Sequence, residues 1–275
     1  MKIITDTGCM ISQKEANDLG IELLPLQVEV DGHNYRDYLD ISSEDFYELT
    51  KTKIAHSSLP SVGDVMDIYQ RFSEGIHICI ARGLSSTYDT AALVAKQMNV
   101  NMTLFNSKGL IGTQRYLVLL AQRLSFKHTA AEITQRMDTC LSQCQSFLIA
   151  VDFNFLKRTG RLSPLAATLG GMMNIKPIIT HVPGMEKLEK FGVGRTWHHA
   201  LDQIVDKMSK NAVDLKHKVY IVHAFNLEMA QLAAQKVRDR FKDIEIEFLS
   251  LSPVFMAMGG PGCVAVQYIL RDDAD

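Results

Sequence analysis

The chain has 275 residues, 47% of them apolar, which is enough for a core of ordinary proportions and excludes disorder as its main state. Lys plus Arg number 29 against 31 Asp plus Glu, a net charge of −2, so no long-range field draws it toward a nucleic-acid backbone. The five cysteines are odd in number and none has zinc-ligand spacing, which fits reduced thiols in a cytoplasmic protein without a metal.

Along the chain, short apolar runs alternate with helical patterns, the mark of β-α units and a mainly parallel sheet. Residues 2–5 form the first strand, and the acid at Asp6 leaves no apolar signal segment before it. Residues 24–32 alternate apolar and polar up to an Asp31-Gly32 turn, so they predict an edge strand or ribbon with one wet face. Strands are predicted at 76–81 and 102–105, followed by a helix marked by Leu110, Leu117, Leu120 and Leu124. Cys140 and Cys144 lie four apart on one face of a predicted helix, where two small buried hydrophobes are expected. Further strands are read at 147–151, 176–180, 219–223, 245–249 and 264–270, with a helix through Leu227, Ala230, Ala234, Val237 and Phe241. Residues 248–270 carry no formal charge and exceed the ~20 residues that cross a bilayer. Pro253 and Gly259-Gly260-Pro261-Gly262 interrupt them, so the expectation is two buried strands joined by a glycine loop, with no stable membrane insertion. The least regular stretch, residues 152–164, is where a domain boundary is placed.

Standard catalytic signatures are missing: there is no Walker A loop, HExxH or GxSxG, and Gly192-Val193-Gly194 is only half a dinucleotide fingerprint that follows no strand. Two hydroxyl clusters stand where helices are expected to begin, Ser57-Ser58-Leu59-Pro60-Ser61 with Asp64, and Ser85-Ser86-Thr87 after the strand at 76–81. A helix N-terminus offers free N–H groups and about half a positive charge, so each cluster is either a set of caps or an anion site. Arg161 and Arg195 each follow a glycine in a loop, poised toward a shared ligand or simply solvated. An enzymatic alternative is a hydrolase using Ser58 or Ser85 with His56 or His223, for which no third orienting residue is evident.

In order, Ile3-Ile4-Thr5-Asp6-Thr7, Pro25-Leu26-Gln27-Val28 with Asp31-Gly32 and Tyr35-Arg36-Asp37, Ser57-Ser58-Leu59-Pro60-Ser61, Leu84-Ser85-Ser86-Thr87-Tyr88, Leu156-Lys157-Arg158-Thr159-Gly160-Arg161, Asn174-Ile175-Lys176-Pro177-Ile178, Arg195 and Gly260-Pro261-Gly262 span nearly the whole chain. Together they resemble the DegV family of fatty-acid-binding proteins. The resemblance implies two α/β domains: a parallel-sheet, three-layer domain over residues 1–152 and a mixed-sheet, two-layer domain over 153–275. It implies one long-chain fatty acid, such as palmitate, in the cleft between them, and a cytoplasmic acyl carrier that presents its cargo to a fatty-acid kinase and needs no cofactor. By the same resemblance Ser57, Ser58 and Ser85 hold the carboxylate, while Arg161 and Arg195 face the kinase.

Departures from the family pattern are specific. Ser-Gly-Thr reads Ser85-Ser86-Thr87, Gly-Gly-Arg reads Thr159-Gly160-Arg161, and His-Thr-Gly-Pro-Gly reads Met258-Gly259-Gly260-Pro261-Gly262. At Met258 a thioether stands where the resemblance places a histidine, and a thioether donates no hydrogen bond.

Overall fold

The computed structural model describes residues 1–169 and 175–273, so Asn174 of the quoted motifs lies outside the described residues. Strand β1 (Lys2–Asp6) leads through a short 3-10 turn to helix α1 (Gln13–Leu19) and β2 (Glu22–Leu24). An antiparallel ribbon follows, built of β3 (Gln27–Val30), β4 (His33–Arg36) and, after α2 (Ser43–Thr50), β5 (Ala55–Ser58). The chain then runs through α3 (Val62–Arg71), β6 (Glu74–Cys79), α4 (Thr87–Met98), β7 (Asn101–Asn106), α5 (Gly112–Leu124) and α6 (Ala130–Leu141). From there it enters β8 (Cys144–Ile149), α7 (Phe153–Arg158), α8 (Pro164–Ala167), β9 (Lys176–His181), β10 (Glu189–Gly194), α9 (Trp197–Lys210) and β11 (His217–His223). It closes with α10 (Leu227–Arg240), β12 (Glu245–Ser250), α11 (Pro253–Gly259) and β13 (Val264–Leu270).

The first sheet is parallel, in the order β2-β1-β6-β7. Alternation along β1 sends Ile4 to one face, under Val65, Ile68 and Tyr69 of α3 and Val94 of α4, and Ile3 to the other, with Leu117 and Leu120 of α5. That makes three layers. The second sheet is mixed, in the order β10-β9-β8-β13-β11-β12, with β11 and β12 parallel and the other pairs antiparallel. Its outer face packs on α9 and α10 through Leu201, Ile204, Ala230 and Ala234, opposite Val219, Ile221, Val264 and Val266. From its inner face Ala265 and Ile269 join the same core as α5, so this helix belongs to the seam between the sheets.

Three expectations change here. The strand at 144–149 pairs with β13 and β9 and therefore belongs to the mixed sheet, so sheet membership switches ahead of residue 144 rather than at the cut after 152. Within the uncharged stretch 248–270 the two strands are joined by helix α11 as well as the glycine turn. Every residue of α11 is buried, and no helix among the described residues is long and apolar enough to cross a membrane. Cys140 lies in α6, which ends at Leu141, and Cys144 opens β8; both are buried, as are the other three cysteines.

Close backbone approach explains two glycines. A Cβ on Gly260, whose φ is +82°, would stand 2.9 Å from the Phe155 ring, so α7 and the end of α11 meet there without a side chain between them. A Cβ on Gly83 would stand 2.5 Å from the backbone of Glu186, which seats the loop after β6 against the turn between β9 and β10.

Candidate functional site

Against the inner face of the mixed sheet lies a narrow cavity of about 60 Å³, below the ~300–1,000 Å³ of an open small-molecule site, so a long ligand has to part its walls. Its walls come from the start of α5 (Ile111 and the preceding Leu110), the inner face of the mixed sheet (Leu148, Ile179, Ala265) and α11 (Phe255, Met258). The polar side chains at its border satisfy one another. Gln267 accepts from the Gly112 N–H at 2.8 Å and donates to Ser146 Oγ at 2.9 Å and to the Leu110 carbonyl at 3.2 Å. The Thr180 hydroxyl donates to the Ser146 carbonyl at 3.0 Å and accepts from Gln145 at 2.8 Å. His181 shares a 3.1 Å hydrogen bond with the Met185 carbonyl, and burial pulls its pKa below the ordinary imidazole value. The lining is therefore apolar and electrically quiet.

A smaller pocket of about 20 Å³ adjoins it, lined by Ser57, Ser58, Ser85 and Arg161 against the apolar walls Leu26, Ile80, Leu84, Val254 and Met258. Met258 lines both spaces, so it stands at their junction.

Ser57 and Ser58 end β5, where antiparallel register sets them opposite Val28 and Gln27. They do not sit at a helix N-terminus: that task falls to Ser61, whose Oγ accepts the Asp64 N–H at 3.0 Å and caps α3. Among the described residues the Ser57 and Ser58 hydroxyls have no hydrogen-bond partner, which leaves them available to a ligand. Ser85 does lie at a helix start, its Oγ accepting the Thr87 N–H at 3.3 Å and sharing a 2.9 Å bond with the Thr87 hydroxyl. Ser86, in the place of the family glycine, is exposed with φ −82° and does not line the pocket.

The two arginines part company. Arg195 is exposed between β10 and α9 and lines neither space. Arg161 is half-buried in the pocket, donating from Nε to the Leu84 carbonyl at 3.1 Å and from Nη1 to the Thr159 carbonyl at 3.0 Å. Of the hydrolase candidates, His56 is exposed on β5 and His223 ends β11; among the described residues no histidine hydrogen-bonds any of the three pocket serines.

Three polar residues behind the pocket were not singled out from sequence. Asp6 accepts the Ile80 N–H at 2.8 Å, Thr7 accepts the Leu26 N–H at 3.0 Å, and Asp37 accepts the Val254 N–H at 3.2 Å. Each therefore holds the backbone of one apolar wall residue. Burial raises Asp6 to about 6 and Asp37 to about 7, above the ordinary 3.8. Their only signal was membership of the motifs Ile3–Thr7 and Tyr35–Asp37, which gave no role.

With this geometry in hand, the chain matches a family model described as uncharacterised protein, DegV family, over residues 1–271. It belongs to the DegV family. A DegV domain-containing protein of Listeria innocua is 24% identical over 98% of both chains, and one of Halalkalibacterium halodurans is 26% identical over 98% of both. Among solved structures, a fatty-acid-binding DegV family protein of Streptococcus agalactiae superposes with a TM-score of 0.89 at 20% identity, over 98% of this chain and 99% of that one. A DegV protein of Thermus thermophilus, described for its fatty-acid binding, gives 0.88 at 21% over 98% and 99%. A stearic-acid-binding protein of Eubacterium ventriosum gives 0.85 at 21% over 98% of each chain. The DegV fold, a parallel sheet and a separate mixed sheet, is thus the fold of this chain.

Proposed function

We propose that this DegV-family chain binds one long-chain fatty acid, tail in the apolar cavity and carboxylate in the serine pocket, as a cytoplasmic acyl carrier. The observation that carries this reading is the junction at Met258, which joins a space almost without polar lining to one with three hydroxyls and a guanidinium. The fatty acids named for the structural relatives support the same ligand class. About 15 buried methylenes at ~0.8 kcal/mol each give roughly 12 kcal/mol, against an association cost on the order of 4–15 kcal/mol. The tail supplies affinity, and the hydroxyls offset desolvation of the carboxylate at ~1.5–3 kcal/mol per charged hydrogen bond.

The cargo's recipient, in this reading, is a fatty-acid kinase, as the family resemblance implies, with exposed Arg195 on the side offered to it. The domain division proposed with it places the ligand between the two sheets.

Native mass spectrometry of the protein purified from a bacterial host is expected to find one acyl chain per protein. Less than one chain per several proteins, together with no thermal shift on adding palmitate or oleate, removes the carrier reading. Ser85→Ala, and Ser57→Ala combined with Ser58→Ala, are each expected to weaken fatty-acid binding by ~1–3 kcal/mol with the fold intact. Unchanged dissociation constants in both variants reduce these serines to local structure.

A further inference from the structure

Two buried carboxyls stand directly behind the apolar walls of the serine pocket. Asp37 grips two of those walls, its N–H donating to the Leu26 carbonyl at 2.8 Å and its carboxyl accepting the Val254 N–H at 3.2 Å. Asp6 grips a third, accepting the Ile80 N–H at 2.8 Å. Both side chains are fully buried, so a single wall residue stands between each carboxyl and the space in front.

Nothing positive faces them from behind. The 3-10 turn brings Thr7 and Cys9, β6 brings Cys79, the loop after β4 brings Tyr38, and α11 brings Ser252. From α5, Gln114 donates to Asp6 at 3.1 Å. Burial pushes both thiols and the Tyr38 hydroxyl up, so all three stay protonated near neutral pH. Arg115 is taken by Glu15 and Glu247. The acids of α2 (Glu44, Asp45, Glu48), the cations of α7 (Lys157, Arg158) and His56 of β5 are exposed. Among the described residues no cation pairs with Asp6 or Asp37. Arg161 lines the pocket in front, and its charge is the same before and after a ligand enters.

A carboxylate head in this pocket therefore adds one negative charge in front of buried acids that have no counter-ion. Like charges raise the pKa of a neighbour that can take a proton. Burial already raises Asp37 to about 7 and Asp6 to about 6, so a further rise moves protons near neutral pH.

We propose that binding of an anionic lipid is coupled to proton uptake at Asp37, with Asp6 acting over a lower window, so that cargo is held more tightly at lower pH and released as pH rises. The inference rests on the fatty-acid reading and deepens it: the acids position the walls and sense the charge of the cargo through them. Well below pH 6 both are neutral with or without ligand, and affinity is level. Above that, the free protein has to recover a proton in order to bind, and affinity falls.

The test is calorimetry with oleate delivered from cyclodextrin, on delipidated wild type and Asp37→Asn, in two buffers of different ionisation enthalpy at pH 7.5, which counts protons taken up per ligand. Asn keeps an acceptor for Val254, and thermal melting checks that the variant is folded. For a rise of about one unit at Asp37, wild type is expected to take up about half a proton more than Asp37→Asn and to lose about sixfold more affinity between pH 6.5 and 8.5. The 13C shift of bound oleate labelled at its carboxyl is expected to read carboxylate at pH 7.5, which puts the proton on the protein. No net uptake by wild type, a measurement that needs no variant, overturns the coupling and leaves the carrier reading standing. Equal uptake by both proteins, or a bound ligand that reads as the protonated acid, does the same. Wild type that binds no oleate at any of these pH values overturns both.

Discussion

Ala265→Phe is expected to abolish fatty-acid binding while leaving the protein folded. Ala265 lies near the start of β13, paired with Leu148 on one side and Val222 on the other, and its methyl faces the narrow apolar cavity rather than the helices behind the sheet. A benzyl group at this point occupies space that the proposed acyl chain needs. Displacing even about five methylenes removes ~4 kcal/mol, close to a 1,000-fold loss in affinity. In a packed core the same substitution costs ~1–3 kcal/mol through strain, so a stable Ala265→Phe also reports that the space is real. Calorimetry with palmitate on the delipidated variant decides it. Affinity within threefold of wild type means that the tail does not run past β13.

The second large effect concerns Asp37, which accepts the Val254 N–H at the start of α11 while, among the described residues, its other carboxylate oxygen has no hydrogen-bond partner. Burial raises its pKa from 3.8 to about 7, so the folded protein binds a proton here more tightly than the unfolded chain does. Stability from this group is therefore fully present below about pH 4 and is lost as pH rises through 7. Asp6, raised to about 6, adds the same sign over a lower window. Asp37→Asn keeps an acceptor for Val254 without the charge, and is expected to exceed wild type by up to ~4 kcal/mol at pH 8.5, three units at ~1.36 each. The gap is expected to close toward pH 4.5. Urea unfolding at four pH values measures it, and a difference that does not vary with pH excludes the carboxyl as the cause.

How much of this was legible from sequence depended on whether burial left a pattern. The strands at 2–5, 102–105, 176–180 and 264–270 appear within a residue or two of β1, β7, β9 and β13, because short apolar runs between polar turns carry their own boundaries. Helix α11 was invisible for the opposite reason. With Pro253 through Gly259 all buried it has no wet face, so nothing repeats every 3.6 residues. The sheet to which residues 144–149 belong was equally hidden, since Phe147 and Ile149 are apolar whichever neighbours they pair with. At the site, residue types were readable and their settings were not. Ser57 and Ser58 resemble caps because Ser61 is one, yet they close a strand, a distinction made by Val28 and Gln27 across the ribbon. Asp6 and Asp37 escaped notice because their partners, Ile80 and Val254, are remote in sequence.

The order of the mixed sheet bears on how the chain reaches its native state. Strand β13 lies between β8 and β11 although it follows both, so before it arrives the sheet exists only as two pieces, β10-β9-β8 and β11-β12. Each piece then presents a bare edge carrying Phe147 and Ile149, or Val219 and Ile221, whose backbone groups await the same missing strand. Such edges are templates for pairing with another molecule, and closing them demands contacts distant along the chain, which form slowly. A chain nicked or cut ahead of residue 264 is left with both edges open, and self-association through them, more than loss of cargo, is the failure that this topology prepares.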